Sequence, residues 1–209
     1  MTKTSLDTYS ENHSKPEDTE LRYIVEETKT YTKLPQMCSE HIQGKLIMML
    51  VQLVNPKKIL EIGTFTGYGT LALAKASGNN TVIHTCDVNK NTAKIAKKHF
   101  NNSAHGHKII QHIGPALTSI KNINEIFEFI FIDADKLNYP NYFKELLPKL
   151  SIGGIMVLDN MLWRGDVLTP EKPSAKGVHK TNQLLRDEPS VDNVLVNFRD
   201  GVQIVRKIF

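Results

Sequence analysis

From residue 58 to residue 158 the chain alternates between short apolar runs and stretches that read as helical. The runs at 58–62, 81–86, 108–112, 127–132 and 155–158 are strand-length and rich in Ile, Val and Phe. Between them lie 68–76, 91–100, 117–120 and 139–150. Strands separated by helical crossovers pair as parallel neighbours, so this rhythm predicts a parallel sheet with helices on both faces. The run Phe127 to Ile132 is almost wholly apolar, as a strand covered on both faces must be.

Three of these runs end alike. Asp87 follows 81–86; Asp133, Asp135 and Lys136 follow 127–132; Asp159 and Asn160 follow 155–158. Open α/β sheets bind ligands beyond the carboxyl ends of their strands. A single Asp at such a place can be merely solvated, but two strands ending in acceptors argue for a site. Asp133, Asp159 and Asn160 brought to one crevice form an oxygen-only donor set, suited to a hard divalent cation such as Mg²⁺.

The rest of the chain frames this sheet. Residues 1–15 lack periodicity and are expected to be frayed, which makes 1–16 a flexible segment before a single domain over 17–209. A helix is expected at 17–33 with Leu21, Ile24, Val25 and Thr28 inward, stopped at Leu34-Pro35. A second, capped by Ser39, is expected to bury Ile42, Leu46, Met49, Leu50 and Leu53 and to stop at Asn55-Pro56. After Asn160 come a Pro-, Gly- and Lys-rich loop, a helix at 176–186, and strands at 191–197 and 202–207. Asp200-Gly201 between those strands signals a hairpin, so the last strand should run antiparallel to its neighbour. With 209 residues the chain can bury one substantial core, and a net charge of +4 permits an acidic partner without requiring one. Cys38 and Cys86 form no CxxC pair, residues 1–20 have no signal-peptide core, and no apolar run is long enough to span a membrane. These features predict a cytoplasmic protein.

The first strand opens into Gly63, Gly67 and Gly69, a spacing that is neither GxGxxG nor the phosphate-cradling GxxxxGK[ST]. The glycines permit a tight turn and close approach of a ligand. Glu61 just ahead of them would repel a pyrophosphate. Asp87, 24 residues beyond Gly63, stands about where an acid accepts hydrogen bonds from ribose hydroxyls. A plain strand–helix turn would explain the glycines alone; with Glu61 and Asp87 the pattern suits a cationic nucleoside, and S-adenosylmethionine meets each requirement.

Several separate motifs now stand in order. They are Met37 with Gly44; the stretch 61–68 from Glu61 through Gly63 to Tyr68; Asp87; Gly114 to Leu117; Asp133 to Lys136 with Tyr139; and Gly153-Gly154 leading to Asp159-Asn160. From about Met37 to the C-terminus the chain resembles the metal-dependent class I O-methyltransferases, which include catechol and caffeoyl-CoA O-methyltransferases. The resemblance implies a Rossmann-like, seven-stranded, mostly parallel sheet with its last strand antiparallel. It implies a cofactor groove along Met37, Ser39, Glu61, Gly63, Thr64, Phe65, Gly69, Asp87, Ala116, Asp133 and Asp135, with Met37 and Phe65 near the sulfonium. It also implies metal ligation by Asp133, Asp159 and Asn160 (Mg²⁺, or another hard cation such as Mn²⁺ or Ca²⁺), Lys136 as base with Asp133 as the second catalytic residue, and a homodimer. Two departures stand out: Gly69 replaces the family's usual Ser, and the long insertions of the plant CoA-ester enzymes are missing.

The activity this implies is methylation of one hydroxyl of a catechol-type vicinal diol. The alternative is a tRNA 5-hydroxyuridine O-methyltransferase, whose acceptor could chelate the same metal. Single residues keep plainer readings too. Lys136 could be an ion-pair partner of Asp135, and Trp163 either a lid over a planar acceptor or a core plug. Lys90, Lys94, Lys97 and Lys98 read as a solvated helix face, and the eight histidines lack ligand spacing.

Overall fold

The computed structural model describes residues 4–33, 37–38 and 41–209. Its seven-stranded sheet has the order β3-β2-β1-β4-β5-β7-β6. The strands are β1 (Lys58–Ile62), β2 (Val82–Asp87), β3 (Ile109–Ile113), β4 (Phe127–Ile132), β5 (Leu150–Asp159), β6 (Val191–Val196) and β7 (Val202–Lys207). Strands β1 to β5 pair in parallel, and β7 is antiparallel to both β5 and β6. The hairpin signal at Asp200-Gly201 is thus realised, with the last strand inserted beside β5 and β6 left at the edge.

Successive side chains of a strand point to opposite faces, and here both faces are buried. Leu60, Ile62, Ile130, Ile132, Met156 and Leu158 face one core cluster; Ile59, Phe129, Phe131 and Val157 face the other. That is why the runs are apolar at nearly every position of β4 and at most positions of β1. Each fully buried Ile, Leu or Phe contributes about 1.5–3 kcal/mol. The first cluster is closed by α6 (Ala116–Asn122), α7 (Tyr139–Leu146) and α8 (Pro173–Asp187), the second by α2 (Thr19–Tyr31), α3 (His41–Val54), α4 (Tyr68–Ala76) and α5 (Lys90–Asn102).

Two expectations about the N-terminal helices need correction. The segment expected to be irregular forms α1 (Ser5–Asn12), with none of its residues buried. A reciprocal cap nucleates it: Asp7 N donates to Thr4 Oγ1, and Thr4 N donates to Asp7 Oδ2. The buried stripe of α3 is Gln43, Gly44, Ile47 and Val51, whereas Met49 and Leu53 are exposed. This helix is apolar nearly all round from Leu46 to Val51, so periodicity cannot phase it. Packing does: an added Cβ at Gly44 would lie 2.8 Å from the Tyr68 hydroxyl oxygen, so Gly44 must face α4. In α2, Leu21, Ile24 and Thr28 are buried and Val25 is half-buried. The proposed stop at Leu34-Pro35 and the Ser39 cap lie outside the described residues. Among the described residues no helix is long and apolar enough to cross a membrane.

Candidate active site

The strand order reverses between β1 and β4, whose crossovers leave in opposite directions and open a crevice at their carboxyl ends. Gly63 shapes it. Its φ of 107° lies in the left-handed region, and a Cβ there would sit 1.9 Å from the Asp133 carbonyl oxygen. Gly63 N donates to Cys86 O at 2.9 Å and Asp133 N to Ile62 O at 2.8 Å, so the ends of β1, β2 and β4 are tied together.

Asp87 organises the glycine loop. One carboxylate oxygen accepts from Phe65 N at 2.7 Å, the other from Asn89 N at 2.8 Å. The first bond holds Phe65 at a φ of 47°, a conformation non-glycine residues seldom adopt. Each oxygen retains a lone pair for a ligand hydroxyl. Gly114 N donates to Asp87 O at 2.9 Å, which brings Ala116, the first residue of α6, to the same end of the sheet.

Glu61 is wholly buried. Its Oε2 accepts from Thr85 Oγ1 at 2.6 Å and from Thr70 Oγ1, and Thr64 Oγ1 pairs with Thr85 Oγ1 at 2.5 Å. Its Oε1 has no partner. Burial first, softened by the two threonines and reinforced by the charges of Asp133 and Asp87, pushes the Glu61 carboxyl up to about 7. An added Cβ at Gly69 would lie 2.6 Å from the unpaired Oε1, so the departure at position 69 and the orphaned oxygen belong to one spot. A carboxylate wanting a donor, with Asp87 and Asp133 nearby, fits a ligand bearing ammonium and sulfonium charges and repels a phosphate chain.

Across the crevice, Lys136 is buried in the 3₁₀ turn Lys136–Asn138. Its Nζ donates to Asp133 Oδ1 at 2.9 Å and to the Tyr139 hydroxyl at 2.5 Å, and lies 5.9 Å from the centre of the Trp163 ring. The Tyr139 hydroxyl is 3.1 Å from the carbonyl oxygens of both Ile132 and Asp159, joining the ends of β4 and β5. Burial alone would push the Lys136 amine down, but Tyr139, Asp133 and Asp159 together hold it above the usual lysine range. Asp135 does not pair with Lys136 here: its carboxylate accepts from the Tyr142 hydroxyl and from Asn138 Nδ2.

Asp159 is buried, and burial followed by the charge of Asp133 pushes its carboxyl up to about 7. Its Oδ1 accepts from Asn160 N at 2.8 Å and its Oδ2 from Gln43 Nε2. Two carboxylates that repel one another at a polar crevice, with an amide residue following and neither thiol nor imidazole, match the donor chemistry of a hard cation. Among the described residues no three His, Cys, Asp or Glu gather as a metal cluster, which an Asp, Asp, Asn set does not require.

Of the other sequence candidates, Met37 is 55% exposed and belongs to neither core cluster, and Ser39 lies outside the described residues. Gln43 was not singled out by its sequence. Its signal was a polar residue beside the small Gly44, but only the fold shows that it reaches Asp159.

The sequence profile of the O-methyltransferase family matches residues 11–208. Caffeoyl-CoA O-methyltransferase from Petroselinum crispum is 35% identical over 180 residues, covering 79% of this chain and 75% of that protein. The O-methyltransferase TomG from Streptomyces achromogenes, involved in tomaymycin synthesis and solved with SAM, superposes with a TM-score of 0.93 at 26% identity over the whole of both chains. The O-methyltransferase from Bacillus cereus in complex with SAH gives 0.92 at 29% identity, covering 99% of this chain and 98% of that one. The crevice, the sheet order and these similarities define a Rossmann-like methyl-transferring enzyme. The chain belongs to the O-methyltransferase family, whose members use S-adenosylmethionine as methyl donor.

Proposed function

We propose that this enzyme transfers the methyl group of S-adenosylmethionine to one hydroxyl of a catechol-type vicinal diol. The observation that carries the reading is Lys136, a buried amine hydrogen-bonded to Asp133 and set beside Asp159 and the Trp163 ring. The cofactor lies along Glu61, Gly63, Thr64, Phe65, Gly69, Asp87 and Ala116, with Asp133, Asp135, Met37 and Ser39 closing the groove. Asp87 holds the ribose with the lone pairs its backbone donors leave free. Asp133, Asp159 and Asn160 hold Mg²⁺ or a similar hard cation. When bound, that cation would supply positive charge that offsets the two carboxylates and lowers the pKa of an acceptor hydroxyl. Lys136 is the group placed to take the acceptor proton, in the neutral form that its burial favours and that Tyr139, Asp133 and Asp159 oppose. Trp163 offers a ring face to a planar acceptor. The remaining work is alignment of oxygen, methyl carbon and sulfur.

The missing insertions favour a free diol over a CoA thioester. The exposed apolar side chains of the N-terminal helices, among them Leu6, Tyr9, Tyr23, Met49 and Leu53, support a homodimer formed through those helices. Neither Cys38 nor Cys86 is in a disulfide, which suits a reducing cytoplasm. A methyl-transfer assay across catechol, caffeoyl-CoA and hydroxyuridine-containing tRNA, with and without Mg²⁺, tests the reading. Metal-dependent methylation of catechol is expected. Turnover confined to the CoA ester or to tRNA would replace the acceptor, and turnover indifferent to a chelator would remove the metal.

A further inference from the structure

The turn between β6 and β7 reaches back to the segment that follows Asn160. Leu162 N donates to Asp200 O at 2.8 Å, Met161 N to Gly201 O at 2.9 Å, and Arg164 N to Asp200 Oδ1. The fit is close: a Cβ on Gly201, whose φ is 84°, would lie 2.7 Å from Leu162 N. The held segment is unusual in its backbone. Trp163, Arg164 and Gly165 take φ values of 44°, 56° and 86° in succession, and two of them carry side chains that disfavour this region. Such a run persists only where its surroundings over-determine it. The Asp200 carboxylate supplies that constraint from a distance of 36 residues, by capturing the amide at the centre of the run.

We propose that Asp200 is a positioning residue for the acceptor site: its carboxylate pins the left-handed turn and thereby sets the Trp163 ring beside Lys136. The proposal rests on the reading that the acceptor binds against Trp163. Asp200 itself touches none of the reacting groups. Its loss lets the turn relax toward ordinary backbone conformations and swings the ring away, so it acts on acceptor affinity and leaves the cofactor groove alone.

Trp163 is the only tryptophan in the chain, so its emission reports on this turn directly. Asp200→Ala is expected to raise KM for catechol about tenfold or more, to leave S-adenosylmethionine affinity within about twofold, and to shift the Trp163 emission and weaken its quenching by catechol. Asp200→Asn keeps an acceptor oxygen and should restore most of both signals. Arg164→Gly added to Asp200→Ala should restore them too, because glycine adopts this φ without the clamp. Should the alanine variant not fold, Asp200→Gly deletes the same carboxylate, fits any turn and carries the comparison. Wild-type KM and emission in the deletion variant would overturn the role of Asp200, as would equal losses of acceptor and cofactor affinity. Wild-type emission that ignores catechol during turnover would instead overturn the placement of the acceptor against Trp163, and with it the basis of the proposal.

Discussion

Replacing Glu61 by Gln should change how stability depends on pH more than it changes stability at any one pH. The Glu61 carboxyl rises from 4.5 to about 7 on folding, mainly through burial, so the folded state prefers its protonated form. A carboxyl raised in this way stabilises the fold fully below pH 4.5, and that contribution is lost as the pH climbs toward 7 and is absent above it. At about 1.4 kcal/mol for each pH unit, the interval amounts to about 3 kcal/mol. Because the group is wholly buried, solvent does little to screen it. Glutamine has no proton to lose and so escapes this penalty. For a chain of this size about 1 kcal/mol corresponds to roughly 2–4 °C in Tm. The variant's Tm relative to wild type should therefore rise by roughly 6–12 °C between about pH 4.5 and about pH 8, whatever constant offset the amide brings. Thermal melts of both proteins across that range, without cofactor, measure it. Taking the difference cancels Asp159, which is pushed in the same direction. Parallel Tm curves would refute the reasoning, and a difference falling with pH would show that Glu61 is ionised throughout.

Asp87→Ala should weaken S-adenosylmethionine binding and also destabilise the cofactor-free protein, since its two charged hydrogen bonds, one from Phe65 N in the glycine loop and one from Asn89 N ahead of α5, are worth roughly 1.5–3 kcal/mol each; calorimetric titration and denaturant melts check the two effects, and wild-type affinity would remove Asp87 from the cofactor groove. Lys136→Ala should lower the single-turnover rate by about 10²–10⁴ with near-normal cofactor affinity and partial rescue at high pH; superimposable pH profiles for variant and wild type would leave Lys136 only its structural contacts. Asp159→Ala should abolish the response to added Mg²⁺ and largely spare cofactor affinity, as should exhaustive chelation of the wild type; residual metal-dependent turnover in the variant would take Asp159 out of the ligand set.

The sheet was legible because burial on both faces leaves its central strands mostly apolar, with Glu61 the buried exception in β1: Leu60 and Ile62 meet one cluster while Ile59 meets the other. The acids of the crevice were legible for the complementary reason. Asp87, Asp133 and Asp159 stand where apolar runs stop, and a strand end marks the place to which the backbone delivers a side chain. A strand end does not say which partner that side chain then meets. Gln43 and Asp159 are 116 residues apart, and Arg164 and Asp200 are 36 apart, with no spacing rule to relate either pair. Helix α3 kept its phase hidden because a surface apolar nearly all round satisfies several stripes equally, until Gly44 packs against Tyr68.

Lys136 shows the difference most plainly, because both of its possible partners are sequence neighbours. Adjacency favours Asp135, but consecutive side chains point apart wherever the backbone turns helically. The 3₁₀ turn at Lys136–Asn138 brings residue 136 back over Asp133, while Asp135 at the head of that turn faces Tyr142 and Asn138. The two carboxylates are thereby sorted into different roles. Asp133 shares the buried amine with Tyr139 and raises the carboxyl of Asp159, so its charge is felt by both Lys136 and Asp159. Asp135 is instead engaged by Tyr142 and Asn138 and makes no contact with the amine. A motif of alternating acids can be read from sequence as a cluster; its division of labour comes from the turn that separates them.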